Sequence, residues 1–155
     1  MTDPADGGFH LDTGGVRDDA LDDTARRNRQ SLLDAYRDIE KGDQTAFLAL
    51  LADDIHFHQA PSLPYPLSTS NREDTLAGFG QVIAAWSKMN VRVEELVAAG
   101  DLVIAYMTVS ATAAPTGKPY GGPCAELFRF RDGKVVEWRP LYWDTHAVRI
   151  AFDLA

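Results

Sequence analysis

The sequence predicts an α+β domain in which three helices come first and a long, curved antiparallel sheet follows. Two observations carry this. Apolar residues recur at spacings of three and four in three segments up to Trp86, and from Val91 to Asp144 they change to period two. An Asp132-Gly133 pair then divides the last two strand-like runs, and a two-residue hairpin turn selects that dipeptide because both positions need positive φ.

Each element has its own signal. Leu32, Leu33, Tyr36 and Ile39 form the first helical face, with Asp22, Asp23 and Thr24 upstream as dipole partners and possible caps, and Gly42 placed to end the helix. Asp43 can cap a short second helix with Phe47, Leu50 and Leu51 on its apolar face, so the two pack as a hairpin. Ile55 to Gln59 alternates, with Ile55, Phe57 and Gln59 on one side and His56 and His58 on the other; it leads into a loop that Pro61, Pro64 and Pro66 keep from becoming helix. Asn71 followed by Arg72-Glu73-Asp74 starts a third helix, continued by Leu76, Phe79, Ile83 and Trp86. Four strands are expected after it, at 91–98, 102–111, 123–131 and 134–144, divided by Gly100-Asp101, Pro115-Thr116-Gly117 and Asp132-Gly133.

The charge is unevenly spread. The chain of 155 residues has a formal net charge of -8, which argues against nucleic acid and anionic membranes as partners. Residues 1–23 hold seven acids and one base, leaving 24–155 close to neutral. With four glycines and few apolar residues, 1–23 is expected to be a mobile acidic tail and 24–155 the single domain. No stretch has the basic start and apolar run of an export signal, and Leu102 to Met107 is too short to cross a bilayer, so a soluble cytoplasmic protein is expected. Cys124 is the only cysteine, which excludes an internal disulfide and a multi-thiolate zinc site. His56 and His58 suggest a metal by spacing, yet no third ligand is suitably placed, so no metal is expected.

Strand parity selects the candidate chemistry. Cys124, Glu126, Phe128 and Phe130 share one face of their strand, and Trp138, Pro140, Tyr142 and Asp144 share one face of the next. If the aromatic faces look inward, Glu126 and Asp144 enter the same apolar space. Burial raises a carboxyl pKa, and two such groups push their titrations apart into an acid and a base. The alternative is that each carboxylate pairs with an arginine or caps a helix, Thr145-His146-Ala147-Val148 after Asp144 being one such start. Tyr36 and Tyr106 can hydrogen-bond a substrate oxygen, Gln59 and His58 lie at the end of a strand near the same space, and Trp86, Phe128, Trp138 and Tyr142 can form its wall.

Taken together, these residues resemble the nuclear-transport-factor-2-like superfamily, in its SnoaL-like and ketosteroid-isomerase-like branch, over roughly residues 26–150. The carriers are Lys41-Gly42-Asp43, Leu51-Ala52-Asp53-Asp54-Ile55, and Phe128-Arg129-Phe130-Arg131-Asp132-Gly133-Lys134-Val135-Val136 followed by Trp138-Arg139-Pro140-Leu141-Tyr142-Trp143-Asp144. The resemblance implies a cone-shaped, curved antiparallel (mixed) sheet with the three N-terminal helices on its concave face, a small-molecule site in the cone, no cofactor, and a homodimer. Laid on the ketosteroid isomerase pattern, Glu126 falls at the protonated acid, Tyr36 lies about one position from the tyrosine, and Gln59, which cannot take a proton, stands where the base belongs. Tyr142-Trp143-Asp144 is similar to the end of the sheet in limonene epoxide hydrolase, which makes Asp144 a candidate base, while the companion Arg-x-Asp of that enzyme falls near Tyr106-Met107-Thr108 and is missing. SnoaL-like cyclases also use an aspartate late in the sheet. The expectation is therefore a cofactor-independent cyclase, isomerase or dehydratase acting on a small apolar carbonyl compound, with Asp144 as general base and Glu126 as proton donor. The competing expectation is a non-catalytic binding or dimerisation module of the same fold.

Overall fold

A computed structural model describes residues 22–154. The acidic segment 1–23 therefore lies outside the described residues except for Asp22 and Asp23, and these two belong to the first helix: Asp22 is its N-cap, accepting the Ala25 N–H at 2.6 Å. Helix α1 (Asp23–Glu40) and helix α2 (Thr45–Leu50) are joined at Gly42, whose φ of +88° is left-handed and selects glycine. Strand β1 (Leu51–His58) follows directly, then the proline loop, a two-residue strand β2 (Ser68–Thr69) and helix α3 (Arg72–Ala84), which Asn71 caps by accepting the Asp74 N–H at 2.8 Å.

The remainder is a meander of β3 (Trp86–Ala99), β4 (Leu102–Ala113), β5 (Pro119–Arg131) and β6 (Lys134–Tyr142), closed by the short helix α4 (Thr145–Ala151). The six strands form one curved, unclosed sheet in the order β2-β1-β6-β5-β4-β3, mixed because β1 runs parallel to β6. Asp132 and Gly133 both adopt positive φ, 51° and 75°, as the β5–β6 hairpin requires. Trp86, which its spacing assigns to the third helix, instead opens β3, pairing with Ala113. The chain from Trp86 to Asn90 can bond to a whole strand of β4, and that ladder overrides the helical spacing of its apolar side chains.

Parity sorts the sheet into two faces. Inward on β4 lie Val103, Ala105, Met107, Val109, Ala111 and Ala113, all buried. They pack with Phe128 and Phe130 of β5, Val135 and Trp138 of β6, Ile55 and Phe57 of β1, and Leu32, Ala35 and Phe47 of the α1–α2 hairpin. Rows crossing the strands carry this core: Ala98, Val103, Phe128, Trp138 and Phe57 stand side by side across β3, β4, β5, β6 and β1. The outer face exposes Val97, Tyr106 and Leu141. Ion pairs such as Arg92–Glu94 and Arg139–Glu137 also lie at the surface, where each contributes little. Among the described residues no helix is long and apolar enough to cross a membrane.

Candidate functional site

The two inner ends of the sheet are closed differently, and the site lies between them. At one end α1 lies over β3, where Arg29 Nε donates to the Leu96 carbonyl at 2.8 Å. At the other, Phe152, just past α4, packs edge-on against Trp86 at 4.9 Å and Tyr65 at 5.7 Å between ring centroids. Between these closures Val91 and Val93 face inward by register, opposite Val109 and Met107, yet are 48% and 36% exposed. Solvent therefore reaches the concave face along the edge strand.

From that opening three rows lead inward. The outermost is Val91, Val109 and Gly122, the next Val93, Met107, Cys124 and Tyr142, and the deepest Leu96, Ala105, Glu126 and Pro140. Glu126 thus has an alanine and a proline on its flanks, neither of which can solvate a charge. Burial pushes its carboxyl pKa from an ordinary 4.5 up to about 7, with the Tyr36 hydroxyl and the Trp138 indole N–H partly opposing the rise. It is only half-buried by surface area, as expected of a group lining a space that solvent can enter.

Tyr36, on the inner face of α1, donates its hydroxyl to Glu126 Oε2 at 3.3 Å. This is long for an O–H···O bond, so it leaves room for a competing acceptor. Burial first, and then the Glu126 charge, hold the Tyr36 pKa well above its usual value, so the hydroxyl keeps its proton and remains a donor. Trp138 Nε1 lies near the same carboxylate without completing a hydrogen bond and is buried without a partner; Gln59 Oε1, continuing the inward row of Ile55 and Phe57, is likewise unpaired. A buried polar atom left unpaired costs roughly 1–3 kcal/mol, so this cluster is poised to donate a hydrogen bond from the Trp138 indole, and accept one at Gln59 Oε1, with something that enters. Phe47, Phe57, Phe79 and Phe128 ring the Trp138 indole at 4.7 to 5.7 Å and fix its plane.

Trp86 Nε1 donates to the Tyr65 hydroxyl at 3.0 Å, and Tyr142 stands close enough for its pKa and that of Tyr65 to influence each other. With Tyr120, 5.9 Å from Trp86 and 6.1 Å from Tyr142, they build the wall toward Phe152. Of the residues singled out by sequence, Tyr36, Gln59, Trp86, Glu126, Phe128, Trp138 and Tyr142 thus share the concave side.

Three do not join them. Asp144 is exposed, because β6 ends at Tyr142 and the chain turns out of register; its carboxylate caps α4, accepting the Ala147 N–H at 2.9 Å. The expectation of a second carboxylate in apolar surroundings is therefore corrected, although its charge still reaches Tyr120. Tyr106 lies on the convex face, 44% exposed, since Ala105 and Met107 take the inward positions. His58 points away from Phe57, stacking on His56 and bonding Ser68 Oγ through Nδ1 at 3.0 Å.

Sequence reasoning passed over Tyr65 and Tyr120. Tyr65 sits in the proline loop, where no periodicity marks a side. Tyr120 has the parity of Glu126 and becomes visible once β5 is extended back across Gly121-Gly122-Pro123. Two broad surface depressions, one around Asp53, Arg72 and Glu73 and one around Asp54, Arg131 and Lys134, are lined by neither Glu126 nor Tyr36. Their cations are already engaged: Arg131 with both oxygens of Asp54 at 2.8 Å, Arg72 with the Leu48 carbonyl. Among the described residues no cluster of three or more His, Cys, Asp or Glu is placed to hold a metal ion.

Known proteins share this architecture. The family model described as SnoaL-like domain matches residues 32–138. An NTF2-like protein from Burkholderia thailandensis E264 is 25% identical, with a TM-score of 0.73 over 81% of this chain and 96% of that one. A putative SnoaL-like polyketide cyclase from Jannaschia sp. CCS1 is 16% identical, with a TM-score of 0.74 over 88% and 99%. A putative isomerase from Rhodopseudomonas palustris is 18% identical, with a TM-score of 0.62 over 79% and 96%. No curated protein matches the sequence.

Proposed function

Because the chain belongs to the SnoaL-like domain family, within the nuclear-transport-factor-2-like superfamily, and such scaffolds host several reactions, we propose its function from the site: proton transfer next to the carbonyl of a small, largely apolar molecule. The observation that carries this reading is a single carboxyl, Glu126, with its pKa raised to about 7 beside a tyrosine held protonated.

A group with that pKa is close to half ionised at neutral pH, which suits it both to take a proton and to return one. The ionised Glu126 removes a proton from the carbon next to the carbonyl. The carbonyl oxygen, gaining charge as the enolate forms, accepts hydrogen bonds from the Tyr36 hydroxyl and the Trp138 indole N–H. Glu126, now protonated, returns the proton to the same carbon or to another position along the conjugated system. One carboxyl thus does the work that the sequence divides between Glu126 and Asp144, and the cycle requires no cofactor. Isomerisation, cyclisation and dehydration all contain this step.

The test is exchange of the protons next to the carbonyl of 2-tetralone for solvent deuterium, followed by NMR. The wild type should accelerate exchange and Glu126→Gln should lose about 10²–10⁴-fold of that rate, the usual contribution of a positioned acid–base group. Saturable binding of 2-tetralone without faster exchange would leave the binding-module reading in its place. That alternative is favoured by how tightly aromatic rings fill the inner end of the cone. As a protein partner we propose a second copy of the chain on the convex face, where two adjoining rows, Val97, Ile104 and Leu127 beside Tyr106, Ala125 and Leu141, form an apolar band across four strands.

A further inference from the structure

Tyr120 is the one inward-facing polar side chain on β5 that the acid–base site does not use. It is 5% exposed, and its hydroxyl is buried with no hydrogen-bond partner. Its ring lies along the strand over Gly122: a Cβ built on that glycine would stand 3.3 Å from the Tyr120 hydroxyl oxygen. The hydroxyl is thereby delivered to the row of Gly122 and Val109, whose third member, Val91 on the edge strand, is 48% exposed. A side chain at position 122 would crowd the hydroxyl, which would have to give way slightly.

From Gly122 to Glu126 is four residues of extended strand, about 13 Å at the usual rise. Between them the inner surface carries Cys124, Met107 and Val109, with no charged group. The concave face therefore has a buried polar anchor in its outermost row, a polar cluster at depth, and an apolar strip joining them.

We propose that Tyr120 is a second substrate anchor, selecting flat, two-ring or larger aromatic or conjugated molecules that carry one oxygen for the Tyr36–Glu126 end and another, at the far end, for the Tyr120 hydroxyl. The inference rests on the proposed site at Glu126 and adds to it a length and a second functional group. Tyr65 does not take this part, because its oxygen already accepts from the Trp86 indole, and Tyr142 stands in the row of Cys124 rather than that of Gly122.

The test compares two probes by quenching of the tryptophan fluorescence in the full-length protein: 2-naphthol, with one hydroxyl, and 2,6-dihydroxynaphthalene, with one at each end. The wild type should bind the second probe about five- to tenfold more tightly than the first, beyond the statistical factor its symmetry gives, which is one net hydrogen bond. In Tyr120→Phe that gain should vanish while 2-naphthol binds as before. In Gly122→Ala, where the new methyl crowds the hydroxyl, the gain should fall and 2-naphthol should again be unaffected.

Folding is not at risk in Tyr120→Phe, because an unpaired buried hydroxyl is being removed: its melting temperature should equal or exceed that of the wild type. A gain that persists in Tyr120→Phe, or that the wild type does not show, overturns the proposal, as does marked destabilisation, which would mean that the hydroxyl is already bonded within the fold. Glu126→Gln separates the two readings. If 2-naphthol binding is insensitive to it, the acid–base site fails whatever Tyr120 does; if only the gain is insensitive to Tyr120→Phe, the second anchor alone fails. Absence of binding by either probe overturns both.

Discussion

Replacing Glu126 by glutamine should make the protein more stable above neutral pH and leave it unchanged in acid. In the unfolded chain a glutamate titrates near 4.5, and in the fold Glu126 titrates near 7. Below the unfolded pKa the carboxyl is neutral in both states, so the native state loses nothing by burying it. As pH rises from 4.5 toward 7 the unfolded chain releases its proton while the native state keeps it, and stability falls; above 7 the native state holds a desolvated charge. The gap between the two pKa values is worth about 3 kcal/mol at 1.36 kcal/mol per unit. Glutamine is close in shape and does not ionise, so the stability of Glu126→Gln minus that of the wild type should be near zero at pH 4 and climb to about 3 kcal/mol at pH 8. Urea denaturation of both proteins at each pH measures that difference, and titration of every other group cancels. A difference independent of pH would mean that Glu126 ionises in the fold as easily as in water.

Further outcomes follow from individual contacts. Tyr36→Phe removes a donor that favours the ionised carboxylate, so the Glu126 midpoint should move above 7, and the pH profile of exchange should move alkaline by the same interval. Asp144→Ala should cost about 1 kcal/mol of stability through loss of the α4 cap, while exchange with 2-tetralone stays within about twofold of wild type, which kinetics and denaturation together can check. Leu141→Arg, placed in the convex apolar band, should convert a dimer to a monomer in light scattering without changing the melting of the monomer fold; a wild type that is monomeric at high concentration would contradict the proposed partner.

Much of this architecture was legible because it is local. Gly42 and Asp132-Gly133 stand at positive φ where their residue types demand it, and the alternation along β4 and β5 is the alternation of buried and exposed side chains. Glu126 could be identified because it lies well inside a strand, between Cys124 and Phe128, where parity determines the face. The same parity misplaces Asp144, since period two holds only while the chain is extended and β6 ends at Tyr142. The competing signal, an aspartate directly before a helix start, was present and prevailed. Tyr106 and His58 stood on the outer parity from the start, opposite Met107 and Phe57; only the chemistry of their side chains recommended them.

Trp86 shows a different limit. Its spacing from Ile83 and Phe79 is helical, but the partner that claims it, Ala113, is separated from it by a whole hairpin, and pairing at that range has no local sign. Tyr65 is similar, because its place beside Trp86 and Tyr142 depends on how the proline loop folds over the sheet. The unpaired hydroxyl of Tyr120 depends on both strand register and the missing side chain at Gly122. What sequence periodicity supplies is which face a residue takes; which groups meet across that face is decided by the tertiary fold.

Proton transfer at this site requires that Glu126 hold its proton up to neutrality on the concave face of the sheet. Carbon-13 labelling of glutamate side chains, with Glu126→Gln to assign the resonance, allows its carboxyl to be titrated directly by NMR between pH 3 and pH 9. The expected midpoint is near 7. A midpoint near 4.5, that of a glutamate in water, would contradict it and remove the physical basis for proton transfer at this site.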